Sequence, residues 1–148
     1  MDLASGMIQF EPFTFEDFRA YVEKAAKEYA EEKVKSGNWE KEEAPILAAQ
    51  EFKTLLPNGL DTNDNSLYSI VEVPSKQKVG FIWIASKVPD TLKNELFVYD
   101  FEIFEQFRRR GFATLALQLL ESKARELGKD RITLHVFGHN TAARKLYA

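Results

Sequence analysis

The alternation of apolar and polar positions divides the chain into a run of short elements. Met7–Phe10 is a short apolar piece with the character of an edge strand. Thr14 stands three residues before Asp17, the spacing of an N-cap and its reciprocal acid. Behind it Phe18, Tyr21, Val22, Ala25, Tyr29 and Val34 recur at helical intervals up to Ser36-Gly37, with Gly37 placed to end the helix. A second helix is predicted over Glu42–Leu56, with Pro45 in its first turn and Ile46, Ala49, Phe52, Lys53 and Leu56 along one face. Pro57-Asn58-Gly59 stops it, and Leu60–Asn65 is polar loop. The β-branched and aromatic runs Leu67–Val73 and Val79–Ala85 read as a hairpin joined through Pro74–Lys78. Leu96–Phe104 is a longer third strand after a turn at Pro89–Asn94. An amphipathic helix, Gly111–Leu127, follows, with Phe112, Leu115, Ala116, Leu119, Leu120, Ala124 and Leu127 on its buried side and Gly128 closing it. A strand at Arg131–Phe137 turns Ile132, Leu134 and Val136 inward, and Asn140 caps a last helix, Thr141–Tyr147.

The unit from Leu96 to Phe137 is strand, helix, strand, which demands a parallel pair and a crossover, whereas the strands before it suit antiparallel pairing. The expected fold class is therefore α/β (α+β), a mixed central β-sheet flanked by helices on both faces. A chain of 148 residues suits one domain with a real core. Met1–Gly6, ahead of a second possible start at Met7, reads as a leader, leaving 7–148 as the single domain.

One junction carries chemistry. The strand run ends at Phe104, and Arg108, Arg109, Arg110 and Gly111 precede the amphipathic helix. The first turn of a helix holds backbone N–H groups without intrahelical partners, at the positive end of its dipole. Gly111 allows close approach of a ligand, Ala113 keeps the turn low, and arginines fork onto phosphate oxygens. The segment from Arg108 through Phe112 to Thr114 thus reads as a pyrophosphate cradle, which implies a nucleotide-bearing cofactor.

Composition narrows the choice. A hydrophobic fraction of 45% and a charged fraction of 29% describe a globular chain. The net charge of −3 argues against a general nucleic-acid binder and makes the arginines a local feature. There is no cysteine, so disulfides, a thiolate nucleophile and a cysteine-based zinc site are excluded. His135 and His139 stand four apart but straddle Gly138 at the end of a strand-like run, a poor metal pair. No run approaches the ~20 apolar residues that span a bilayer, no secretory signal opens the chain, and cytoplasm is the expected location.

Two segments carry a family resemblance. Arg108-x-x-Gly111-x-Ala113, placed after a strand and opening a helix, resembles the acyl-CoA loop of the GNAT superfamily of N-acetyltransferases. Leu134–Tyr147, with Asn140 and a closing Tyr147, resembles that family's next strand and helix. The element order from Met7 onward is similar too. The resemblance implies the GNAT fold, apparently without its usual C-terminal strands, with acetyl-CoA as cofactor. It implies acetyl transfer to a primary amine by direct transfer in a ternary complex, the acceptor being a small-molecule amine or a protein or peptide amine. It places the pantetheine arm along the strand end at Glu102, Ile103 and Phe104, bonded to backbone, with Asn140 near it and Arg144 among the cofactor-binding residues. Tyr147 would stand beside the thioester sulfur as general acid.

The base is left open. Asp100 and Glu102 share a face of the strand and are candidates, with His135 a weaker one. Trp39, Glu40, Glu42 and Glu43 suggest an acidic lip for a cationic acceptor, though acids at a helix start also complement its dipole. A non-catalytic acyl-CoA binding or sensing module is the alternative. Another kind of phosphate-binding domain lacks support, since neither the P-loop ending nor the dinucleotide glycine spacing is present. An exposed last strand could pair with a second chain as a homodimer.

Overall fold

The computed structural model describes residues 7–86 and 94–134. Five strands form one sheet in the order β1-β2-β3-β4-β5: β1 (Ile8–Pro12), β2 (Asn65–Glu72), β3 (Lys78–Ala85), β4 (Glu95–Ile103) and β5 (Arg131–Leu134). The first three pairings are antiparallel, and β4 pairs with β5 in parallel. Helices α1 (Phe15–Lys35) and α2 (Ala44–Leu55) pack on one face, and α3 (Phe112–Glu126) on the other. This is the mixed sheet with helices on both faces that the sequence predicts. The end of the predicted strand Arg131–Phe137 and the helix Thr141–Tyr147 lie outside the described residues. So do His135, His139, Asn140, Arg144 and Tyr147.

The helix ends follow local rules. Thr14 and Asp17 form a reciprocal capping box, with Asp17 N–H donating to Thr14 Oγ1 at 3.1 Å and Thr14 N–H to Asp17 Oδ2 at 3.0 Å. Gly37, at φ +81°, ends α1 in the left-handed conformation. Asp17 also accepts from Lys78 Nζ at 2.6 Å, tying α1 to β3. Burial raises the Asp17 carboxyl, but the bonds from Lys78 and Thr14 outweigh it and hold it below its ordinary value of 3.8. A depressed folded-state value stabilises above the unfolded value and is lost as pH falls through the folded one. Asp17→Asn is therefore expected to cost about 1 kcal/mol at pH 7. Denaturant titrations at pH 7, 5 and 3 should show that difference shrinking only at the most acidic point.

Two sequence expectations need correction. The buried stripe of α2 is Ala44, Ala48 and Phe52, while Ile46 is 62% exposed and Ala49 is exposed. Small residues win because Ala30 of α1 meets Ala44 and Ala48 in a tight helix–helix contact. Leu127, expected on the buried side of α3, is 44% exposed, because it sits at the C-cap where the helix has already turned.

The sheet divides two cores. Ile82 and Ile84 of β3 and Leu96 and Val98 of β4 face α3, whose Phe112, Ala116, Leu120 and Ala124 recur every four residues. Leu67 and Trp83 face Tyr21, Ala25 and Phe52 on the other side. Trp83 is fully buried, and its indole N–H donates to Asn65 Oδ1 at 2.9 Å, so the burial leaves no orphaned donor.

One irregularity sets the phase of β4. Ile84 pairs with Val98 but Trp83 pairs with Asp100, so Tyr99 is an extra residue, a β-bulge. Before the bulge Leu96 and Val98 face α3; after it Phe101 and Ile103 do. The ring of Tyr99 stacks on Trp83 at 4.6 Å, on the α1 face. Asp100 and Glu102 also open to the α1 side, where both line a cavity.

Candidate active site at the end of β4

Strand β4 delivers its end to a tight turn. Phe104 N–H donates to Val79 O at 2.8 Å, extending the pairing with β3 by one residue. Glu105–Phe107 form a single 3-10 turn, Arg108 is extended, and Arg109 stands at φ +64°. Gly111, at φ +85°, is the N-cap of α3 and carries no side chain to close it. The contrast with α1 is direct: its capping box consumes first-turn donors, whereas among the described residues no N-cap side chain takes the first-turn amides of α3. A Cβ built on Gly111 would meet nothing within 4 Å, so the helix mouth has free space in front of it. Arg109 and Gly111 are both left-handed, and backbone that alternates with such residues is the kind from which anion-binding concavities are built. These features fit a diphosphate-bearing cofactor.

The predicted residues divide by role. Phe112 turns its side chain into the core at 4% exposure, leaving its amide as the group that a ligand could reach. Ala113 packs partly against the same core, and Thr114 is exposed. Arg109 and Arg110 are exposed, with the Arg110 guanidinium 5.7 Å from the Phe107 ring centre. Arg108 reaches back: its Nε donates to Ile103 O at 2.7 Å, and its Nη2 lies 3.9 Å from Glu102 Oε2. The sequence shows the cluster of cations but not this division of labour.

On the α1 side a cavity of about 250 Å³ runs between helix and sheet. Its walls include Tyr21, Lys24 and Glu28 from α1, Lys78 and Phe81 from β3, and Asp100, Glu102 and Phe104 from β4. The two candidate carboxylates differ sharply within it. Asp100 is 2% exposed, accepting from the Tyr21 hydroxyl at 2.7 Å and from Phe101 N–H at 3.0 Å. The Glu102 side chain is 18% exposed and lies next to the turn before α3 through Arg108. Tyr21 and Gly80, both in the wall, were not singled out from the sequence. Tyr21 reads there as one apolar position of a helix face, and only the fold shows its hydroxyl meeting Asp100. Trp39, expected at an acceptor lip, packs edge-on against Tyr29 at 5.5 Å, with Lys33 Nζ 5.7 Å from its own ring centre. Glu40, Glu42 and Glu43 are exposed. Among the described residues, no group of three His, Asp or Glu could hold a metal, and no helix is long and apolar enough to cross a membrane.

The chain belongs to the Acetyltransferase (GNAT) family, whose profile matches residues 21–148. It is 44% identical over 140 residues to "Uncharacterized N-acetyltransferase YycN" of Bacillus subtilis, covering 95% of this chain and 88% of the relative. It is 36% identical over 137 residues to "Uncharacterized N-acetyltransferase YdgE" of the same species, covering 93% and 86%. The crystal structure of YycN superposes with a TM-score of 0.81 over 95% of this chain and 88% of that one. A predicted acetyltransferase of Clostridium acetobutylicum, solved with acetyl-CoA, shares the fold at a TM-score of 0.54 and 18% identity, over 96% and 89% of the two chains. The protein is thus an acyltransferase of the acetyl-transferring kind.

Proposed function

We propose that the protein moves an acetyl group from acetyl-CoA to a primary amine by direct transfer in a ternary complex. The observation that carries this reading is the uncapped mouth of α3, shaped by left-handed residues at 109 and 111, one turn away from Glu102. The Clostridium acetobutylicum structure with acetyl-CoA supports the same cofactor on the same fold. The amides of Arg108–Thr114 hold the diphosphate, with the exposed Arg109 and Arg110 adding charge. The backbone of Ile103 and Phe104 meets the pantetheine amides, as an added strand would. The bound cofactor supplies an acetyl group activated as a thioester.

Glu102 is the base. It is accessible from the cavity, whereas both oxygens of Asp100 already accept hydrogen bonds. Glu102 takes a proton from the acceptor ammonium, freeing the nitrogen lone pair. The nitrogen then bonds to the acetyl carbon as the carbon–sulfur bond breaks, Tyr147 supplies a proton to the departing sulfur, and the second proton that the nitrogen sheds in becoming an amide restores the Tyr147 phenol. The family resemblance assigns Asn140 to the pantetheine arm and Arg144 to cofactor binding. The acceptor is a small-molecule amine or the amine of a protein or peptide.

The test is free-thiol release from acetyl-CoA with a panel of alkyl amines, polyamines, aminoglycosides and peptide N-termini. Release with at least one acceptor is expected. Tight acetyl-CoA binding without release for every acceptor would instead indicate a binding or sensing module. Tyr147→Phe is expected to lower kcat about a hundredfold while leaving acetyl-CoA affinity within about twofold. Parallel loss of both, read by calorimetry beside turnover, removes Tyr147 from the acid role.

A further inference from the structure

Asp100 is a buried carboxylate in the middle of a strand, a placement that is costly unless the surrounding structure uses it. Its two oxygens reach different parts of the fold. One accepts the N–H of Phe101, the first amide after the bulge, at 3.0 Å. The other accepts the hydroxyl of Tyr21 on α1, 79 residues earlier in the chain, at 2.7 Å. The Tyr21 ring has little freedom, with Phe81 at 4.9 Å, Phe13 at 5.9 Å and Phe52 at 6.3 Å around it. Burial, and then the Asp100 charge, push its phenol well above the ordinary value of 10.0, so it stays a donor.

The bulge decides where Glu102 points. Successive strand residues alternate between faces. With unbroken alternation, Asp100 and Glu102 would follow Leu96 and Val98 into the core under α3, and Phe101 and Ile103 would turn toward α1. The extra residue at Tyr99 reverses that outcome. We infer that Tyr21 and Asp100 are a positioning pair: they pin the β4 bulge and thereby keep Glu102 facing the acceptor cavity. The catalytic consequence rests on the reading of Glu102 as base, while the pinning itself rests on the geometry alone. Tyr99, stacked on Trp83, holds the extra residue from the neighbouring strand.

The test compares the full chain with Tyr21→Phe, Asp100→Asn and the double variant. Either single change is expected to speed amide hydrogen exchange at Phe101 and Glu102 by roughly tenfold. The double variant should go no further than the larger single effect, since both changes remove one contact. Amides of Ile70 and Ile82 should exchange at wild-type rates, which shows that the sheet is intact. With the best acceptor from the amine panel, both single variants should lose kcat by about tenfold at an unchanged KM for acetyl-CoA. Tyr21→Phe keeps the packed ring, so if Asp100→Asn does not fold, Tyr21→Phe alone decides the question. Unchanged exchange at Phe101 in Tyr21→Phe overturns the inference. So does a loss of turnover in Asp100→Asn that Tyr21→Phe does not share, because Asp100 would then act on the acceptor itself. Failure of the enzyme reading looks different: the unmodified chain releases no thiol with any amine, and the exchange measurement still decides the pinning.

Discussion

Gly80→Ala is expected to lower stability by about 3 kcal/mol or more and the thermal midpoint by roughly 10 °C. A Cβ at position 80 would stand 2.1 Å from the carbonyl oxygen of Glu102 and 3.1 Å from Ile103 Cα. Those are backbone atoms of the paired strand, so no side-chain rotation relieves the clash. The strands must separate where β3 pairs Gly80 with Ile103 and Phe81 with Glu102. Glycine within a strand often marks such a close approach. The damage is also chemical. Any fraction that still folds moves the Glu102 backbone and strains the Phe104 to Val79 hydrogen bond that leads into the turn before α3. Differential scanning calorimetry reads the first effect and turnover at low temperature the second. A midpoint within 2 °C of wild type would contradict the described β3–β4 register.

Gly111→Val is expected to weaken acetyl-CoA binding at least a hundredfold while the thermal midpoint moves by only a few degrees. Valine at φ +85° is a backbone outlier, and a relaxing turn would swing its amides out of line. Space is a separate matter, since no described residue lies within 4 Å of a Cβ there. Gly111→Asn separates the two causes, because asparagine tolerates the left-handed region but still projects atoms into the mouth. If the diphosphate occupies that space, both variants lose binding alike in calorimetry with acetyl-CoA. If conformation alone matters, the asparagine variant binds almost as well as the glycine. Retained binding in both would place the cofactor elsewhere.

Much of this architecture was legible because local rules agreed with the global fold. Thr14 with Asp17 fixed the start of α1, and Gly111 with a four-residue apolar repeat fixed that of α3. The face of α2 was read correctly at Phe52 and Leu56 but misplaced at Ile46, which outweighs alanines on any hydropathy scale, whereas helix spacing rewards small side chains at the contact. The β4 bulge left a trace that was passed over. Phe97, Tyr99, Phe101 and Ile103 are apolar or aromatic at every odd position, so only the excess of apolar residues at Leu96 and Val98 hints that the strand changes phase, and the register of the sheet is needed to place the extra residue. Placing Asp100 and Glu102 on one face was right, yet their different surroundings depend on Tyr21, far away in sequence. The partner that Gly80 crowds is likewise set by sheet register rather than by any nearby residue. The stretch with Asn140, Arg144 and Tyr147 lies outside the described residues and rests on the family resemblance.

Arg109 holds a conformation that arginine seldom adopts, and the residues on either side are fastened: Arg108 to the Ile103 carbonyl, Arg110 over the Phe107 ring. A substitution at 108 therefore means something different depending on what stands at 109. Glycine at 109 would accept the left-handed well without help and make the Arg108 fastening dispensable. Viable mutational routes through this turn then have a preferred order, in which position 109 changes first and position 108 is free to drift afterwards.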